Sequence, residues 1–145
     1  MLTNAAKPMH RQKTALIELQ KRFTDRFAIR VSLDHFTQAG HEEIRGRGSW
    51  SSTIEGLVWL ARNGFNLAVA SRTIWDKNEA ELRAGYRALF ARLGISIHCD
   101  DPARLVLFPE MDDAINVPEI TERCWTTLGV DPSTIMCATS RMAIK

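Results

Sequence analysis

The sequence predicts an α/β fold of parallel strands joined by helices. Three observations carry that expectation: apolar runs of strand length, helix-period segments between them, and cap residues where one gives way to the next. Phe27–Leu33 contains Ala28, Ile29, Val31 and Leu33, Phe65–Ala70 reads Phe-Asn-Leu-Ala-Val-Ala, and Leu105–Phe108 is a third run. Runs of this kind suit strands covered on both faces. Between the first two, Ser52 and Glu55 form a Ser-x-x-Glu capping box, Ile54, Leu57, Val58 and Ala61 share one face, and Gly64 occupies a C-terminal cap position. The pattern predicts a helix over Thr53–Asn63. Asn78 and Glu81 repeat it ahead of Leu82, Tyr86, Leu89, Phe90 and Leu93, with Gly94 closing the segment before the short run Ile95–Ile97. Upstream, Pro8 suits the first turn of a helix that turns Met9, Ala15, Leu16, Leu19 and Phe23 toward the sheet. With Met1–Asn4 read as the tail of a strand, the order is (β)αβαβαβ, the grammar of a right-handed parallel sheet or barrel. Four strands cannot close a barrel, so an open edge remains that invites a partner.

Composition narrows the function classes. The chain has 145 residues, 45% hydrophobic and 25% charged, which is ordinary for a globular core. A formal net charge of +2 gives no field for nucleic acid or a membrane surface. No segment has the length of a membrane span, and Met1–Arg11 lacks the apolar stretch of a signal peptide, so a cytoplasmic location is expected. Cys99, Cys124 and Cys137 are odd in number and confined to the last third, which disfavours a secreted disulfide framework and leaves buried thiols or metal ligation. Past Phe108 the pattern changes, with Pro109, Pro118 and Pro132 interrupting it. The expected organisation is an α/β region over 1–109 and a C-terminal extension over 110–145, cut short, with a short helix at Pro118–Leu128.

The chemistry-bearing phrase is Ile29-Arg30-Val31-Ser32-Leu33-Asp34-His35, continued by His41-Glu42-Glu43-Ile44-Arg45-Gly46-Arg47-Gly48-Ser49-Trp50. A strand ending in Ser-x-Asp, then His-x-x-x-Arg-Gly, a Gly-Ser-aromatic step and an apolar helix face from Ile54 to Leu60 resemble the radical S-adenosylmethionine superfamily. Leu2-Thr3-Asn4-Ala5 looks like that family's Thr-Asn strand end, and the order holds from Leu2 to about Pro109. The resemblance implies the central part of a (β/α) barrel, a partial barrel of parallel strands with flanking helices. It also implies S-adenosylmethionine as cofactor, cleaved reductively by a [4Fe–4S] cluster. Ligands of such barrels lie at the carboxyl ends of the strands, where Thr3, Asn4, Ser32, Asp34, Ser71 and Arg72 fall. By resemblance Ser32 and Arg45 contact the methionine part of the cofactor. Arginine suits a carboxylate because its planar fork offers parallel donors and stays charged. Asp34 is expected to accept from the cofactor's amino group or ribose hydroxyls.

Each residue also has a plain structural role open to it. Ser32 can satisfy backbone groups at the strand end, Asp34 can cap a turn, Arg45 can be a solvated charge, and His35 and His41 can be surface loop residues. The family's Cys-x-x-x-Cys-x-x-Cys loop is not in this sequence, and no pair among the three cysteines has its spacing. Cys137 resembles the opening of an auxiliary-cluster extension, without the partner cysteines a four-thiolate site needs. A zinc site from His98, Cys99, Cys124 and Cys137 matches no compact motif. The chain is therefore expected not to be catalytic alone, acting as a fragment or split half whose partner is a second polypeptide supplying the cluster loop, or as a homo-oligomer through the sheet edge. Two other classes stay open: a non-catalytic interaction module using that edge, and a small phosphate- or nucleotide-binding α/β protein built on Arg45-Gly46-Arg47-Gly48.

Overall fold

The computed structural model describes residues 1–73, 78–109, 121, 123–129 and 131. The chain divides into two compact units, Met1–Met111 and Asp112–Lys145. In the second, the described helix is Arg123–Leu128 (α6).

The first unit is α/β, as the alternation of runs predicts. Its elements are β1 (Leu2–Thr3), α1 (Lys7–His10), α2 (Lys13–Phe23), β2 (Ala28–Ser32), α3 (Gln38–Arg45), α4 (Ser49–Arg62), β3 (Asn66–Arg72), α5 (Glu79–Leu93) and β4 (Leu105–Phe108). The four strands form one sheet in the order β1-β2-β3-β4, every pair parallel. Parallel neighbours need a crossover between them, and crossovers of one hand with no reversal of strand order carry every helix to the same face. The register and packing agree. Ile29 lies opposite Leu67, Val31 opposite Val69, and Val69 opposite Leu105. These side chains share one cluster with Met9 and Leu16 of α1 and α2, Leu57 and Leu60 of α4, and Tyr86, Leu89 and Phe90 of α5.

The alternate positions are outside that cluster. Ala28, Arg30, Ser32, Ala68 and Ala70 share the other face, small or polar where the first is branched and apolar. The expectation of strands covered on both faces holds for β3, whose residues Leu67 to Ser71 are all buried, whereas in β2 buried positions alternate with more exposed ones.

Element boundaries move for identifiable reasons. Helix α4 begins a turn earlier than Thr53, with its N-cap at Gly48 (φ 79°). The Ser-x-x-Glu phrase falls inside the helix, where Ser52 Oγ donates to the Ser49 carbonyl oxygen at 3.1 Å and Thr53 Oγ1 to that of Asn4 at 3.0 Å. The one helix expected after Pro8 is two, α1 and α2, separated at Arg11 and Gln12. Helix α3 carries no apolar stripe in the sequence, since its buried side chain is His41. It is nucleated by Thr37, whose Oγ1 accepts from the Gly40 amide at 3.3 Å. Helix α5 follows its caps: Asn78 Oδ1 accepts from the Glu81 amide at 2.9 Å, and Gly94 closes the helix at φ 66°. Ile95–Ile97 is not a strand, and the path from α5 to β4 is fastened by Arg83, which donates to the carbonyl oxygens of Cys99 and, at 3.4 Å, of Leu105. Among the described residues no helix is long and apolar enough to cross a membrane.

One close approach ties the carboxyl end of β1 to α4. Ala5 is fully buried with φ 55°, a left-handed conformation that costs a non-glycine residue roughly 1–2 kcal/mol. It is held there because Thr3 Oγ1 accepts from the Ala5 amide at 3.0 Å and Asn4 Oδ1 from the Ala6 amide at 3.1 Å. A Cβ on Gly56 would stand 1.9 Å from the Ala5 carbonyl oxygen, so α4 seats against this turn only through a glycine. Gly56→Ala is expected to destabilise the fold by about 1–3 kcal/mol or more, read as a lower urea midpoint. Ser51→Ala, on the exposed side of the same helix, should change it by under about 0.5 kcal/mol.

Candidate functional site

The ladder between β2 and β3 continues past the end of β2. The Leu33 amide donates to the Ala70 carbonyl oxygen at 2.9 Å, and the Arg72 amide to that of Asp34 at 3.4 Å. Since Ser32 lies opposite Ala70, two further residues bring Asp34 opposite Arg72 at the carboxyl end of the sheet. Asp34 is 3% exposed there. Its carboxylate is met by Arg45, the last residue of α3, which donates from Nε to Oδ2 and from Nη2 to Oδ1 at 3.4 Å. Arg72 Nε stands 3.7 Å from Oδ1. One buried anion thus holds two guanidiniums, one by its fork and one at longer range.

The backbone of Asp34 is held equally closely. Its amide donates to His41 Nδ1 at 3.2 Å, and its carbonyl oxygen accepts from Ser71 Oγ at 3.0 Å. The Tyr86 hydroxyl, fully buried on α5, shares its proton between the Leu33 carbonyl oxygen at 2.7 Å and Ser71 Oγ at 2.6 Å. Burial pushes that phenol far above its ordinary range, so it serves as a neutral donor.

His35 and His41, expected on the surface, are 3% and 0% exposed. Because His41 Nδ1 accepts, its proton is on Nε2, which is buried and has no hydrogen-bond partner. Desolvation lowers its pKa, an effect the nearby Asp34 charge opposes, and the ring packs edge-on to Trp50 at a centroid distance of 5.8 Å. His35 Nδ1 accepts from the Thr37 amide at 3.0 Å, and its ring stacks on Phe36.

In front of the Asp34 cluster lies a cleft of about 350 Å³ lined by Asn4, Arg45, Ser49, Ser52, Thr53 and Arg72, among others. It sits where β1 and β3 end and α4 begins, the end at which parallel α/β barrels bind ligands. The hydroxyls of Ser49 and Ser52 donate to backbone carbonyl oxygens, leaving the guanidiniums as the strongest donors facing the cleft. No acidic side chain lines it among the described residues.

The three sequence-derived candidates are thus only partly brought together. Asp34 and Arg45 are in contact, Arg45 at the end of a helix and not in a loop. Ser32 is half-buried on the sheet face away from the helices and does not line the cleft. Arg72 had been noted only as a strand end. Its signal was the register, in which Ser-x-Asp on one strand meets Ala-Ser-Arg on the next. Cys99 is buried, with burial pushing its thiol up, and Cys124 is half-buried. Cys137 lies outside the described residues. No group of three His, Cys, Asp or Glu residues among those described is arranged to hold a metal ion.

No family model, no curated protein and no solved structure matches this chain.

Two outcomes follow from this geometry. Removing one partner of a fully buried ion pair costs about 3–5 kcal/mol, but the Arg45 and Arg72 side chains are 33% and 50% exposed and water screens part of the load. Asp34→Asn is therefore expected to cost about 1–2 kcal/mol in urea denaturation. For His41, the unfolded chain takes up a proton near pH 6.5 that the folded chain binds only at lower pH. Stability is then complete above about pH 6.5 and falls as the pH drops through it, by at most ~1.4 kcal/mol per pH unit. His41→Asn, whose Oδ1 can accept in place of Nδ1, should flatten that part of the profile of midpoint against pH.

Proposed function

We propose that this chain is the central part of a radical S-adenosylmethionine barrel and that its cleft receives the carboxylate of S-adenosylmethionine at Arg45. The observation that carries the reading is the Arg45 guanidinium, oriented by the buried Asp34 at the rim of a cleft at the carboxyl ends of the strands. Two features of the fold support a partial barrel. The strand order runs without reversal, and every neighbouring pair is parallel.

The residues present fit the methionine end of the cofactor. Asp34 engages Nε and one Nη2 hydrogen of Arg45, which leaves the remaining Nη donors for a carboxylate in the cleft. Asp34 is then an orienting residue for Arg45, in place of the direct contact to an amino group or ribose expected from the sequence. Ser32 does not line the cleft, and no contact with the cofactor's methionine part is assigned to it there. In this superfamily a bound [4Fe–4S] cluster supplies the electron that cleaves the cofactor. The described residues do not fit the cluster, so no step through it is assigned to them, and under this reading a second polypeptide supplies its cysteines.

Calorimetric titration of the full chain with S-adenosylmethionine tests the proposal. Wild type should bind, Arg45→Ala should weaken binding about 30-fold or more, and Arg47→Ala should stay within about twofold, its side chain being exposed and not part of the cleft. A flat wild-type titration, or equal losses in the two variants, would overturn it.

A further inference from the structure

Asp34 is a single negative charge between two guanidiniums, and both guanidiniums line a cleft with no acidic side chain among its described walls. The two are held differently. Arg45 approaches through Nε and Nη2 and is one third exposed, whereas Arg72 approaches through Nε alone at 3.7 Å and is half exposed. The Arg72 backbone, by contrast, is anchored by the ladder to Asp34. A fixed main chain with a loosely held guanidinium gives a cation that can follow a second anion into the cleft.

We infer that Arg72 is a ligand-binding residue of this cleft, supplying the second positive charge that lets a carboxylate sit beside Asp34 on Arg45. The identity of that ligand rests on the cofactor reading above. Two guanidiniums and one carboxylate leave a net charge of +1, which the carboxylate group of an incoming amino acid offsets locally, its ammonium group being carried on a different atom. A dianionic phosphate would leave one negative charge unmatched beside the buried Asp34. The cleft is therefore selective for a monoanionic carboxylate over a phosphate group. Without Arg72, Asp34 and the ligand would share one guanidinium, and their mutual repulsion would oppose binding.

Because Arg72 acts through charge and Arg45 through its fork, lysine should replace the first and not the second. Wild type, Arg72→Gln, Arg72→Lys and Arg45→Lys would each be titrated with S-adenosylmethionine, L-methionine and inorganic phosphate, with thermal midpoints recorded alongside. The expected pattern is roughly 5–10-fold weaker carboxylate binding in Arg72→Gln. Recovery to within about twofold is expected in Arg72→Lys, and none in Arg45→Lys. A merely structural Arg72 would lower the midpoint without this recovery. Unchanged affinity in Arg72→Gln, a lysine variant as weak as the glutamine one, or phosphate bound more tightly than L-methionine would each overturn the inference. If wild type binds L-methionine but not S-adenosylmethionine, the cofactor reading falls and Arg72 is judged on L-methionine. Failure to bind all three overturns both.

Discussion

A carboxylate with almost no contact with water has to be neutralised where it stands, and Asp34 organises its surroundings accordingly. It brings the end of α3 to the end of β2 through Arg45 and draws on Arg72 across the ladder. Its peptide groups are bound by His41 from α3 and Ser71 from β3. The elements β2, β3, α3 and α5 are joined at the carboxyl end of the sheet through this residue or its immediate neighbours. Burying such a group brings no net stability beyond what an apolar substitute would give, so its presence is better understood as fixing the orientation of two arginines.

The second constraint is packing. A sheet whose strands follow one another without reversal can be covered by its helices on one side only, and the apolar cluster lies on that side, while Val106 and Phe108 of β4 stand with Ala70 and Arg72 on the other. Position within the cluster is set tightly at two points. Gly56 lets α4 close on the strained turn at Ala5, and Gly85 lets the Phe36 ring lie where a Cβ would be 2.6 Å away. The first approach brings Asn4 and Thr53 together at the mouth of the cleft. The polar network of Tyr86, Ser71 and Leu33 then links α5 to the same strand ends, so the floor of the cleft is supported from behind by fully satisfied groups.

These features bear on the proposed function as preorganisation. A guanidinium that must be oriented for a carboxylate binds it better when its other donors are already engaged, because less rotamer freedom is lost on binding. The partial-barrel proposal and the cofactor proposal stand on the same part of the molecule, the carboxyl ends of the parallel strands.

The sequence by itself determined the class of fold and most of its order. Strand-length runs at Ala28, Asn66 and Leu105, and the caps at Asn78 and Gly94, act within a few residues, and local signals of that kind survive in any tertiary setting. It also singled out Asp34 and Arg45 by the phrase they stand in. It missed α3, whose buried face is a histidine and not an apolar stripe, and it misread the capping box inside α4, because a Ser-x-x-Glu spacing is equally at home one turn into a helix. Which face of the sheet the helices take, that His41 is buried and neutral, and that Arg72 stands opposite Asp34 were decided only by tertiary structure. The first and last depend on pairing residues more than thirty positions apart, as Ser32 with Ala70, and register across a crossover leaves no mark on either strand alone, while the second depends on α3 folding back so that His41 meets the Asp34 amide.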